Sequence, residues 1–203
     1  MCTFNLIIYV YIHIFVCVIV VNGLKSFIME PISKKFRTYT GVEIDFQNLS
    51  PEVFTIEDIA KGLSVMPRFA GQAKGVISVA EHSINVAKLV PAHLKLEALL
   101  HDASEAYLMD IAKPIKQLLP DYMALENEVM RNIAIQFNLS FPLDDLIKKA
   151  DNQVALLEWN NSVLSNKSAL FPAEIIEKRF LDLYKSIQFD RSLMASKKVH
   201  LRR

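Results

Sequence analysis

The stretch Leu96-Glu97-Ala98-Leu99-Leu100-His101-Asp102-Ala103-Ser104-Glu105-Ala106-Tyr107 sets a His-Asp pair into a segment whose apolar residues recur at helical spacing. His101, Asp102 and Glu105 share one stripe of it. An unpaired carboxylate is costly to bury, and a bound cation or an opposite charge removes most of that cost. Imidazole with carboxylate is an ordinary ligand set for a transition metal. Two further residues of the same kind, His82 and Asp151, fall on the expected inward faces of two other helices. Alone, an inward His is more often a hydrogen-bonded core residue, and an inward Asp a cap or a partner of Arg. Two imidazoles and two carboxylates from three helices point instead to one metal ion, with Glu105 one turn beyond His101 as a nearby base.

Those residues have to be carried by helices. Thr55 reads as the N-cap of a helix from Ile56 to Leu63, with Asp58 three residues on as its acidic partner. Pro67-Arg68-Phe69-Ala70-Gly71 then breaks the pattern. Ser78 caps a helix to Val90 whose inward face is Val79, His82, Val86 and Leu89. The helix of the His-Asp pair follows, then a Pro-containing loop, Asp110 to Lys116. Tyr122 to Phe137 spaces Leu125, Val129, Ile133 and Phe137 by four. Pro142 suits the first turn of a helix to about Leu164, with Leu143, Ile147, Ala150, Val154 and Leu157 inward and Asp151 beside them. A helix from Ala173 to Ile187 closes the domain, and residues 191–203 read as a basic, solvated tail. Ahead of all these, Tyr39 to Phe46 is a short extended segment.

The chain of 203 residues suits one domain, here 29–190, and its 5 glycines and dominant helix formers favour an all-α fold. A net charge of +1 gives no field for nucleic acid. Cys2 and Cys17 both precede residue 29, so the body has no cysteine to ligate zinc, and a reducing compartment fits. Residues 1–28 hold the apolar run Leu6 to Val21 and a single charge, Lys25. They read equally as a membrane anchor that keeps the body cytoplasmic or as a spurious start upstream of Met29.

The pattern resembles the HD-domain metal-dependent phosphohydrolases, whose signature is a His, a His-Asp pair and a distant Asp on successive helices. Arg68-Phe69, Ser78-Val79-Ala80-Glu81-His82-Ser83, His101 to Tyr107, Asp110, Pro114-Ile115-Lys116 and Lys148-Lys149-Ala150-Asp151 are similar to the branch of bacterial 5′-deoxynucleotidases and phage dATP triphosphohydrolases. The similarity covers about residues 38–190. It implies a single HD-domain helical bundle in which His82, His101, Asp102 and Asp151 hold one divalent transition metal (Co, Mn, Zn or Fe). A second cation, Mg²⁺ or Co²⁺, would accompany the substrate phosphates. Glu105 would move a proton or position the attacking water, and Asp110 would serve the sugar or that second cation. Arg68, Lys116 and Lys148 would hold phosphate oxygens, and Phe69 would stack on a base. Only His93 remains in the body once His82 and His101 are assigned, which disfavours the dinuclear HD enzymes. The branch tends to form homo-oligomers.

The expected activity is hydrolysis of a small deoxynucleotide, with no nucleic acid as partner and a membrane only if residues 1–28 insert. Bacterial 5′-deoxynucleotidases of this branch carry Gly before the residue matching Asp110, where this chain has Met109, and the Lys116-Lys148 pair leans slightly towards triphosphates. The competing reading is a regulatory HD module, membrane-tethered or free, that binds nucleotide without turning it over.

Overall fold

The computed structural model describes residues 35–165 and 171–200. The chain divides into two units, residues 1–36 and 37–203, and almost everything described belongs to the second. The expected leader, both cysteines, Met29 and residues 201–203 lie outside the described residues.

The fold is all-α. Two short strands, β1 (Phe36–Arg37) and β2 (Glu43–Ile44), pair ahead of the helices. The helices are α1 (Ile56–Val65), α2 (Val79–Leu89), α3 (Lys95–Leu99), α4 (Glu105–Leu108), α5 (Lys113–Lys116), α6 (Pro120–Gln136), α7 (Asp145–Glu158) and α8 (Ala173–His200). A π-helical turn, Trp159–Leu164, extends α7. Among the described residues, no helix is long and apolar enough to cross a membrane.

Helix α2 is the axis of the bundle, packed by α1, α3, α7 and α8. Its Val79 and Val86 are fully buried with Ile59 and Leu63 of α1, Leu96 and Leu99 of α3, Val129 and Ile133 of α6, Ile147 of α7 and Phe180 of α8. The caps fall where expected: the Thr55 hydroxyl accepts from the Asp58 amide and the Ser78 hydroxyl from the Glu81 amide, filling donors that a helix start leaves open. The Asp58 carboxylate also accepts from the Thr40 amide and from the hydroxyls of Thr40 and Thr55, each at 2.8 Å, pinning the segment before α1 onto that helix. Where α1 crosses α4, a Cβ on Gly62 would lie 2.8 Å from the Ala106 side chain and carbonyl. Only glycine permits that approach.

Several expectations are corrected. The helix through Leu96–Tyr107 is broken between α3 and α4, and i→i+3 bonds (Ala103 amide to Leu100 carbonyl, Glu105 amide to Asp102 carbonyl) carry the chain across the gap. The cause is local: His101 Nδ1 donates to the Ala98 carbonyl at 2.8 Å, which competes with a helical ladder there. The Asp110–Lys116 loop contains the single turn α5. Pro142 is not in the first turn of α7, which Asp144 caps, its side chain accepting from the Leu146 amide. Leu89 and Leu157 are exposed (49% and 52%), not inward. Helix α8 runs on to His200, so the first ten residues of the expected tail continue it.

Candidate metal centre

His82 is fully buried on α2 and is held from both sides by α7. Its Nδ1 lies 2.9 Å from Glu158 Oε2 and its Nε2 3.0 Å from Asp151 Oδ1. Asp151 and Glu158 are seven residues apart, two helical turns, and so share one face. The turn between α3 and α4 delivers the other pair to the same point. His101 Nε2 is 3.1 Å from Asp102 Oδ2 and 3.9 Å from Asp151 Oδ1, and His82 Nε2 is 3.9 Å from Asp102 Oδ2. The two rings are 5.4 Å apart.

These groups fit a cation. His82, His101 and Asp151 each present a ligand atom within 4.8 Å of the others, forming a group able to hold a metal ion, and Asp102 Oδ2 stands beside it. A neutral His82 that donates from Nδ1 to Glu158 turns the Nε2 lone pair on the Asp151 carboxylate. His101, donating from Nδ1 to Ala98, likewise turns a lone pair on Asp102, and its buried Nε2 makes no hydrogen bond. Lone pairs facing carboxylates at such distances need a proton or a metal ion between them.

The titration of the site follows the same logic. Burial opposes a charged His101 ring, but the Asp102 and Asp151 carboxylates outweigh it and lift the ring to about 10. Burial likewise opposes the charged carboxylates, yet the His101 and His82 rings and Arg68 hold Asp102 down at about 2, and the nearness of both rings holds Asp151 well below the usual carboxylate range. The pocket is built for positive charge.

Glu158 was missed from sequence. The signal was present: the buried stripe Ile147, Ala150, Val154 continues helically onto Glu158, which is 8% exposed, and not onto Leu157. A buried carboxylate on an apolar stripe needs a partner, and Glu158 has two, the His82 ring and Arg68 Nε at 3.0 Å. Arg68 also approaches Asp102 Oδ2 to 3.8 Å. The expected phosphate ligand therefore sits at the rim of the cluster, already paired.

Glu105 lies buried next to the centre, 3.6 Å from Lys116 Nζ. Burial first, then the Asp102 and Asp110 carboxylates, push it up to about 9, so it carries a proton at neutral pH. Asp110 is also raised, by burial and by Asp102 against the pull of Arg68. Lys116 is not free: its Nζ lies 2.7 Å from Glu126 Oε1, and despite burial Glu126 and Glu105 raise it. Met109, between α4 and Asp110, has φ 73 and ψ 152, a region that glycine enters freely and other residues scarcely at all. Tyr122 donates to the Met109 carbonyl at 2.8 Å, holding that conformation. Phe69 packs edge-on against Trp159, ring centroids 5.6 Å apart. Lys148 is exposed on α7, three residues before Asp151.

No protein-family model matches the chain. It is 37% identical over 115 residues to an Escherichia coli (strain K12) protein named "Uncharacterized protein YfdR", a match of 57% of this chain and 65% of that one. It is 35% identical over 136 residues to "Uncharacterized protein RCAP_rcc00048" of Rhodobacter capsulatus, 60% of this chain and 69% of that one. The chain thus spans a little under two thirds of the E. coli relative.

Proposed function

This chain belongs to the family of the Rhodobacter capsulatus protein RCAP_rcc00048, whose name assigns no chemistry, and from the site itself we propose an HD-type, metal-dependent phosphohydrolase acting on deoxynucleoside 5′-phosphates. The observation that carries this reading is the meeting of His82, His101, Asp102 and Asp151, with the buried His101 Nε2 left without a hydrogen bond.

The four side chains would hold one divalent transition metal, Co, Mn, Zn or Fe. Such an ion, when bound, supplies hydroxide near neutral pH and draws charge from a phosphoryl oxygen. The chain's own residues do the rest. Glu158 and the Ala98 carbonyl fix each ring with Nε2 towards the site. Glu105, buried beside the ligand cluster, is suited to move a proton to or from an oxygen at the site. Arg68, whose side chain is 11% exposed and faces Asp102 and Glu158, would meet a phosphate oxygen in a poorly solvated setting. Asp110 would face the sugar or a second cation carried by the phosphates. Arg68 and Lys116 are each engaged by two carboxylates, so little of their positive charge is left over for the additional phosphates of a triphosphate. Monophosphates are the better fit.

Orthophosphate release by the full chain, with Co²⁺, Mn²⁺ or Zn²⁺ and a panel of deoxynucleoside mono- and triphosphates, tests the proposal. Release from monophosphates supports it, and a bound ion without turnover of any nucleotide overturns it. One observation favours a second reading, a nucleotide-binding module without turnover: Arg68 and Lys116 each already face two carboxylates. That module would be stabilised thermally by nucleotide and yield no product.

A further inference from the structure

A ledge of rings leads away from the centre, and its outer member is the chain's single tryptophan. The Arg68 guanidinium, which reaches Asp102 and Glu158, lies 5.3 Å from the centroid of the Phe69 ring. Phe69 in turn meets Trp159 edge-on at 73°. Trp159 follows Glu158 directly, so the helix that positions His82 also positions this indole. It opens the π-helical turn Trp159–Leu164, a distortion that recurs at functional sites. The facing loop is held to that turn a second time, by the Lys74 amide donating to the Ser162 carbonyl at 3.0 Å. Phe69 and Ala70 keep φ of 56 and 51, a left-handed conformation tolerated where surrounding contacts demand it. Trp159 nevertheless remains 45% exposed. A large aromatic ring packed nearly perpendicular to Phe69, half-open to solvent and one residue from a buried site carboxylate, has the form of a stacking surface.

We propose that Trp159 is the platform on which the nucleobase stacks, with Phe69 bracing the indole. The inference rests on the nucleotide reading above and adds a specificity-determining residue to it. Stacking is tolerant of base identity, because every base has a π face. The site should therefore accept purine and pyrimidine deoxynucleotides and discriminate against a sugar phosphate that has no base.

Because the chain has one tryptophan, its emission reports on this site directly. The full chain loaded with Zn²⁺, which does not quench by paramagnetism, is titrated with dAMP, dCMP and deoxyribose 5-phosphate. The expected result is saturable quenching by both nucleotides and none by the sugar phosphate. In turnover assays Trp159→Ala should raise KM for dAMP by about 5- to 150-fold, the range of one base–aromatic stack, with kcat within about twofold. Trp159→Phe, which keeps a ring, should stay near the parent and guards against a folding defect in the Ala variant. If dAMP is hydrolysed with the same KM by all three proteins, the platform is overturned while the hydrolase reading stands. If no nucleotide is hydrolysed yet dAMP quenches and deoxyribose 5-phosphate does not, the platform stands and the hydrolase reading falls. Absence of quenching by either nucleotide overturns the platform outright.

Discussion

Replacing Glu158 by Gln removes one charge and nearly no volume. Glu158 Oε2 lies 2.9 Å from His82 Nδ1 and 3.0 Å from Arg68 Nε, and its side chain is 9% exposed, so both interactions are little screened by solvent. The amide oxygen of Gln can still accept from Nδ1, which preserves the ring's tautomer. Its neutral dipole, however, no longer makes the imidazole a better donor to a cation, and it no longer balances Arg68. Loss of such a supporting carboxylate typically weakens metal binding about 10- to 100-fold, or about 1.4–2.7 kcal/mol. Glu158→Ala should lose more, since it leaves Arg68 facing Asp102 at 3.8 Å and His82 held through Asp151 without a partner at Nδ1. Chelator competition for Zn²⁺ at pH 7.5, on parent and both variants with melting curves in parallel, reads the effect. Equal Zn²⁺ affinity in parent and Glu158→Gln, both folded, would refute the view that α7 tunes the centre through His82.

Other outcomes follow from single features. Met109→Gly relieves the φ 73, ψ 152 conformation and should stabilise by about 1–3 kcal/mol, a rise in Tm of several degrees, and a fall in Tm would contradict the strain. Gly62→Ala places a methyl 2.8 Å from Ala106 and should destabilise by about 1–3 kcal/mol, seen in urea unfolding. Glu105, raised from 4.5 to about 9, makes the folded state the better proton binder between those values. Metal-free protein should therefore lose stability relative to Glu105→Gln as pH rises from 4.5 towards 9, and parallel Tm profiles across that range would count against this. His101 holds its proton to about 10 and must release it to bind an ion through Nε2, so Zn²⁺ affinity should climb with pH from 6 to 9, and calorimetry showing no pH dependence would oppose it.

The two caps, Thr55 and Ser78, were legible because a hydroxyl ahead of a periodic apolar run has one obvious use. The inward register of α2 placed His82 for the same reason. The break at His101 was not legible, since it comes from the ring's own bond to Ala98, which helical spacing hides. Glu158 escaped because Leu157 beside it is the more hydrophobic choice, although the stripe from Ile147 through Val154 continues onto the acid. Spacing finds which residues share a face, but it cannot tell which cations are already engaged. Lys116 is held by Glu126 because α6 folds back over the turn that carries it, a contact that spacing along one helix does not reveal.

The most direct measurement is orthophosphate release from dAMP by chelator-stripped full-length protein, titrated with Co²⁺ and compared with Asp102→Asn. Activity should be absent before metal, saturate at one tightly held ion per chain, and be lost together with that ion in the variant. Equal release with and without metal, or a variant that keeps both ion and turnover, would contradict the account.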